Sequence, residues 1–245
     1  MLESSYFLVA HGSRDSRPQV ALKNLGVLFE KVLADSKPPR RLRAPLVETG
    51  TLEFAPVSLA QQLEDFGKRT RAVGLHLMQV MPLFLLPGVH VREDIPREVA
   101  LAQASLGTDV KIELQPYLGS HPGIVYLLSS QIRHVKTDAW ILLSHGSRRP
   151  GSEYPIELLA AQLGAVAAFW LVSPSLQSRV EELVNIGCRY IGIVPYFLFV
   201  GEITDALAQE VAKLSLAYTS VNFYLANPLS PSVELANLIL DLTRK

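Results

Sequence analysis

Short apolar runs of strand length alternate along the whole chain with longer stretches in which apolar positions return every three or four residues. The first pattern predicts strands near 6–10, 43–48, 73–82, 110–115, 139–144, 166–171, 190–195 and 221–225. The second predicts helices near 18–34, 56–67, 92–105, 122–134, 153–163, 175–186, 202–215 and 231–243. Several of the strand runs are apolar at successive positions rather than alternate ones, as "FLVA" and "WILL" illustrate. Such strands bury both faces. Strand–helix alternation of this kind implies an α/β protein built on parallel sheets with helices on both sides.

The order of landmarks repeats. His11-Gly-Ser-Arg returns as His145-Gly-Ser-Arg, 134 residues later. "EFAPVSLAQQLEDFG" is echoed by "SPSLQSRVEELVNIG", "MPLFLLPG" by "VPYFLFVG", and "PYLGSHPGIVYLLSS" by "NPLSPSVELANLIL" in position. Four landmarks in one order predict a duplicated unit, with halves at 1–135 and 136–245, each holding a four-stranded parallel sheet flanked by helices.

Composition narrows the function classes. With 23 basic and 23 acidic residues the formal net charge is zero, so no global field recruits nucleic acid or a membrane surface, and an anionic partner must be held by local charge. One cysteine, Cys188, excludes a disulfide framework and a cysteine-rich metal site. The opening "MLESSYFLVAHG" has no basic-plus-apolar leader, and "HLMQVMPLFLLPGVH" is interrupted by Gln79, Pro82 and Pro87. The expectation is a cytoplasmic globular protein.

Candidate chemistry lies where strands end, because open α/β sheets bind ligands beyond the carboxyl ends of their strands. His11 leaves the first strand, with Ser13 or Asp15 placed to cap the helix that follows. "VETGTLEF" leaves the second. "PLFLLPGVHVREDIP" leaves the third, turns at Pro87-Gly88, carries His90, and has Asp94 and Pro96 at the expected helix start. The topology thus brings His11 and His90 to one cleft although 79 residues separate them. Two imidazoles at one mouth can share a divalent transition metal, and either can take a proton near neutral pH. A single histidine at a strand end is more commonly a hydrogen-bonded turn residue, and the pairing is what favours ligation. His76 reads as a core or edge residue, His134 as part of a solvated helical face, and His121 as a capping residue. In the second half His145 keeps its strand exit, but no histidine follows Gly201; Glu202 is the nearest polar group. Two readings stay open there: a half that has lost its site, or a second site made by His145 and Glu202.

"LVAHGSRD", "VETGTLEFAPVSL" and "PLFLLPGVHVREDIP" resemble the sirohydrochlorin chelatase family, the CbiX/SirB group, in its long two-domain form. The resemblance covers nearly the whole chain. It implies a chelatase-like fold and a lyase that inserts Co2+ or Fe2+ into sirohydrochlorin, for cobalamin or siroheme, with the metal as substrate and no prosthetic group. It implies His11 as proton acceptor and His11 with His90 as metal ligands. Thr51, Glu53 and the loop Leu86, Pro87, Gly88, Val89 and Val91 would line the macrocycle. Arg14, Arg17 and Arg92, beside the histidines, would meet its carboxylates, and Phe84 would supply an apolar wall. A monomer or weak homo-oligomer is expected. Three other readings keep parts of this pattern: a non-catalytic metal or tetrapyrrole carrier, a regulatory pseudo-enzyme, and a phosphate-binding α/β enzyme. The last lacks a P-loop and leaves the PG-x-H segment unexplained.

Overall fold

A computed structural model describes residues 3–36 and 45–244 of the chain. Its elements run β1 Ser5–Ala10, α1 Ser16–Asp35, β2 Val47–Thr51, α2 Leu59–Ala72, β3 Leu77–Pro82, α3 Ile95–Leu106, β4 Lys111–Leu114 and α4 Ile124–Ile132. The second series is β5 Ala139–Ser144, α5 Tyr154–Gln162, β6 Ala165–Phe169, α6 Leu176–Asn185, β7 Tyr190–Pro195, α7 Glu202–Ala217, β8 Asn222–Leu225 and α8 Val233–Leu242. The strands form two four-stranded sheets, ordered β2-β1-β3-β4 and β6-β5-β7-β8. All pairs are parallel.

The packing follows from the sequence of β1. Every residue of this strand is buried. Phe7 and Val9 face one layer with Leu59, Leu63 and Phe66 of α2 and Ile95 and Ala102 of α3. Tyr6, on the opposite face, meets Phe29 of α1 edge to face at 5.5 Å. Alternate side chains of one strand therefore feed two helical layers, which is why the strand carries no polar alternation. In the second sheet Ile141, Leu143, Ile191 and Ile193 pack in the same way against α6 and α7.

Several boundaries differ from those the periodicity predicts. Ser58 caps α2 by accepting the Gln61 N–H, so the helix begins after Pro56 rather than at it. It then runs on to Ala72, and the turn at Gly74 delays β3 to Leu77. The strand expected at 43–48 begins only at Val47; positions 43 and 44 lie outside the described residues. Asp94 does not cap α3. A π-helical turn, His90–Asp94, precedes that helix, and Asp94 already has helical dihedrals.

The compact units are Met1–His121 with Pro231–Lys245, and Pro122–Ser230. The duplicated halves 1–135 and 136–245 and these units are thus different divisions of one chain. The last helix of the second half, α8, packs in the first unit against α1, and α4 belongs to the second.

Candidate metal centre

The strand order decides the site. β1 lies between β2 and β3, so the chain leaving β1 emerges flanked by the exits of its two neighbours. His11, Glu53 and His90 come one from each exit. One ligand atom from each can be chosen so that all three lie within 4.8 Å of one another. The two imidazole centroids are 4.8 Å apart at 79°. His11 Nε2 lies 4.0 Å from the Glu53 carboxylate.

Each ligand is held by backbone or carboxylate partners. His11 Nδ1 donates to Gly12 O at 3.1 Å, and His90 Nδ1 donates to the Asp94 carboxylate at 2.8 Å. Those partners can only accept here, so each neutral ring carries its hydrogen on Nδ1 and leaves the Nε2 lone pair for a cation. Glu53 is placed by its backbone: its N–H donates to His11 O at 2.8 Å, just after Leu52 N–H donates to Ala10 O. Gly12 makes this approach feasible. It sits at φ +100°, and a Cβ there would stand 2.0 Å from Glu53 O.

His90 depends on the π turn. Ile95 N–H reaches back five residues to His90 O. This wider turn brings Asp94 against His90 Nδ1, while Arg97 holds the other Asp94 oxygen at 3.1 Å. Such turns recur at functional sites because the extra residue re-aims side chains. The loop before it, from Leu86 to Val89, is braced from outside the sheet. Gly119 N–H donates to Phe84 O at 2.9 Å, and a Cβ on Gly119 would lie 2.0 Å from Leu85 O. Phe84 packs on the core beneath and presents its ring to both histidines, at 6.3 and 6.1 Å.

Chemically, two neutral imidazoles and one carboxylate form a borderline donor set that suits first-row divalent ions. Bonds of about 2.1 Å require ligand atoms roughly 3.4 Å apart in a tetrahedral arrangement, so small side-chain adjustments bring the three onto one ion. His11 and Glu53 side chains are 50% and 45% exposed. A cation held there stays open to an incoming partner.

The remaining expected residues distribute unevenly. Thr51 lies at the end of β2, where Gln62 accepts from its N–H at 3.2 Å and donates to its carbonyl at 2.9 Å. Leu86, Pro87, Val89 and Val91 are half-buried and Gly88 is exposed along the loop. Arg14 stacks on Phe54, its Cζ 5.6 Å from the ring centroid. Arg92 is exposed and lies near Tyr117, whose phenol is pushed up by burial against the opposing charge of Arg92. Arg17 is not a rim cation. It binds Asp15 through Nε and Nη2 at 2.6–3.1 Å, and Asp15, held low by Arg17, caps α1.

In the second unit His145 occupies the equivalent strand exit. Leu171 N–H donates to His145 O at 3.0 Å as Glu53 does to His11, so a leucine stands where the first unit has its carboxylate. Buried Ile95 and Ala102 of α3 match Leu207 and Leu214 of α7 in spacing, yet Ile95 lies seven residues after Gly88 and Leu207 six after Gly201. The first unit thus has one residue more, and it is taken up in the π turn. The shorter segment begins α7 directly, with Thr204 closing the turn onto Gly201 at 2.9 Å. Among the described residues, His11, Glu53 and His90 form the one group of three metal-ligating side chains; His145 and Glu202 belong to none.

His76 is neither core nor edge: it stands exposed just before β3, its Nδ1 bonded to Asp109 O at 2.9 Å, and His134 is an exposed partner of Arg133. Gly123, not His121, stands at the start of α4. The sequence reading sets Glu53 at the macrocycle and Asp94 as a cap; the structure adds that Glu53 stands within ligating reach of His11 and His90, and that Asp94 meets His90 Nδ1 instead of capping α3. The signal for Glu53 was an acid just past a strand that neighbours β1; the signal for Asp94 was its i+4 spacing from His90.

The fold is that of a duplicated parallel α/β protein in which His11, Glu53 and His90 meet at the strand exits as a candidate cation site. The family model of CbiX matches residues 5–135 and 139–245, and the chain belongs to that family. It is 24% identical over 213 residues to a sirohydrochlorin ferrochelatase of Priestia megaterium, covering 82% of this chain and 77% of the relative. It is 23% identical over 197 residues to a sirohydrochlorin cobaltochelatase of the same organism, covering 74% of this chain and 63% of that one, just under two thirds of its length. The structure of SirB from Bacillus subtilis with Fe3+ shares the fold, with a TM-score of 0.78, 22% identity, and coverage of 99% and 95%.

Proposed function

We propose that this chain is a sirohydrochlorin chelatase, a lyase that inserts Co2+ or Fe2+ into sirohydrochlorin. The observation that carries the reading is the convergence of His11, Glu53 and His90 within 4.8 Å, in a chain of the CbiX family. Metallation exchanges two pyrrole N–H protons for one divalent ion, so the site must hold a cation loosely and receive protons above the ring. His90 and Glu53 hold the ion with His11. As the ion passes to the macrocycle, His11 Nε2 is freed and accepts a pyrrole proton. Its half-exposed ring then returns that proton to water, ready for the second. The bound site carries one net positive charge, which favours approach of an anionic tetrapyrrole. The protein surrenders the ion because the deprotonated ring offers four nitrogens and two negative charges against three ligands and one.

In this reading the first unit does the chemistry. The second, with Leu171 at the carboxylate position and no imidazole after Gly201, contributes no metal site of its own. Leu86, Pro87, Gly88, Val89 and Val91 line the macrocycle, with Arg14 and Arg92 at its carboxylates. The enzyme is cytoplasmic and acts as a monomer or weak homo-oligomer; no helix among the described residues is long and apolar enough to cross a membrane.

Anaerobic insertion with sirohydrochlorin in excess, followed by loss of the metal-free spectrum, tests this. His11→Ala is expected to abolish insertion with the fold intact, and His145→Ala to retain most of it. Binding without turnover by the wild type would identify a carrier. Equal loss in both variants would move the site.

A further inference from the structure

We propose that Phe54, with Arg14 against its ring, is a substrate-binding platform on which the flat tetrapyrrole stacks as the metal is delivered from the adjoining Glu53. The inference rests on the chelatase reading and extends it to a residue that neither imidazole nor carboxylate chemistry requires.

Phe54 is the one non-glycine residue at positive φ among the described residues, at +60°. Bulky side chains avoid this region, and glycine or asparagine reach it more readily. Strain of that kind is ordinarily repaid by burying the side chain, yet this residue is 55% exposed. Its conformation therefore serves something other than the core. The residue immediately before it is Glu53, whose N–H is fixed on His11 O at 2.8 Å. Ring and metal ligand thus share one rigid pivot at the mouth of the site. The Arg14 guanidinium lies 5.6 Å from the ring centroid. An aromatic face with a cation beside it matches a flat π-system edged with carboxylates: the ring meets the macrocycle, the guanidinium its rim. In the second unit Val172 follows Leu171, at the matching turn, so the half without the carboxylate also lacks the aromatic ring.

The test uses the full chain and metal-free sirohydrochlorin. Phe54→Ala is expected to weaken its binding by about ten- to hundredfold, the range for loss of one stacking aromatic, raising KM in step while kcat stays within about threefold. Co2+ affinity measured without tetrapyrrole should be unchanged, because Glu53 is held by His11. Phe54→Trp should restore binding. Phe54→Gly, which relieves the backbone, should melt higher than Phe54→Ala yet bind the tetrapyrrole as weakly. Wild-type binding by Phe54→Ala, restored binding by Phe54→Gly, or parallel loss of Co2+ affinity would each overturn the platform while leaving the chelatase reading intact. If the wild-type protein itself fails to bind sirohydrochlorin, both fall together.

Discussion

Each histidine of the candidate cation site depends on a residue beside it. Gly12 accepts the His11 Nδ1 hydrogen through its carbonyl and, by lacking a Cβ, admits Glu53; Asp94 accepts that of His90. Removing such a supporting carboxylate commonly costs ten- to a hundredfold in metal affinity, because the ring loses its fixed tautomer and orientation. Asp94→Asn is accordingly expected to weaken Co2+ binding by about that range with the melting temperature little changed, by isothermal titration and thermal scanning. A large fall in melting temperature at unchanged affinity would instead make Asp94 a structural anchor of the π turn. His11 and His90 were legible in the sequence because histidine past a strand end is chemically conspicuous. Glu53 and Asp94 were less so. Carboxylates are common on surfaces, and only the neighbourhood of β1 or the geometry of a widened turn distinguishes these two.

At the scale of elements, parallel strands need firm anchorage at their amino-terminal ends. Asp138, just before β5, accepts from the N–H groups of Arg189 and Tyr190 at 2.7 and 2.9 Å, tying β5 to the start of β7. Those two donors hold the Asp138 carboxyl below its ordinary value of 3.8. A group depressed in the folded state stabilises above its unfolded value and loses that contribution as pH falls through the folded one. The deficit of Asp138→Asn in thermal unfolding is therefore expected to be full at neutral pH and to close as pH drops below about 3.8. A deficit independent of pH would mean that the charge plays no part. The strands and most helices were readable from periodicity, since apolar runs and three-to-four spacing report burial directly. The π turn was not. Its sequence trace is one extra residue relative to the second half, visible only once Ile95 and Leu207 are matched by their burial.

For the molecule as a whole, the helix that completes the first unit comes from the far end of the chain. Leu235, Ile239, Leu240 and Leu242 of α8 are all buried, at 0–6% exposure, in the unit that holds His11, Glu53 and His90. Burying four such side chains contributes about 6–12 kcal/mol, comparable to the whole stability of a typical domain. A chain ending at Ser230 is expected to lose cooperative unfolding of the first unit and Co2+ binding, although His11, Glu53 and His90 all lie outside the deleted segment. Calorimetry with metal titration on the truncated protein checks this; intact Co2+ affinity would show that the unit folds without α8.

The sequence by itself determined the parallel α/β class, the duplication and the two histidines, because these depend on local periodicity and on residue chemistry. Tertiary structure alone decided which carboxylate joins them, how His90 is aimed and where α8 packs. Those depend on strand order, on one additional residue in a turn, and on contacts between segments far apart in the chain, none of which leaves a periodic trace.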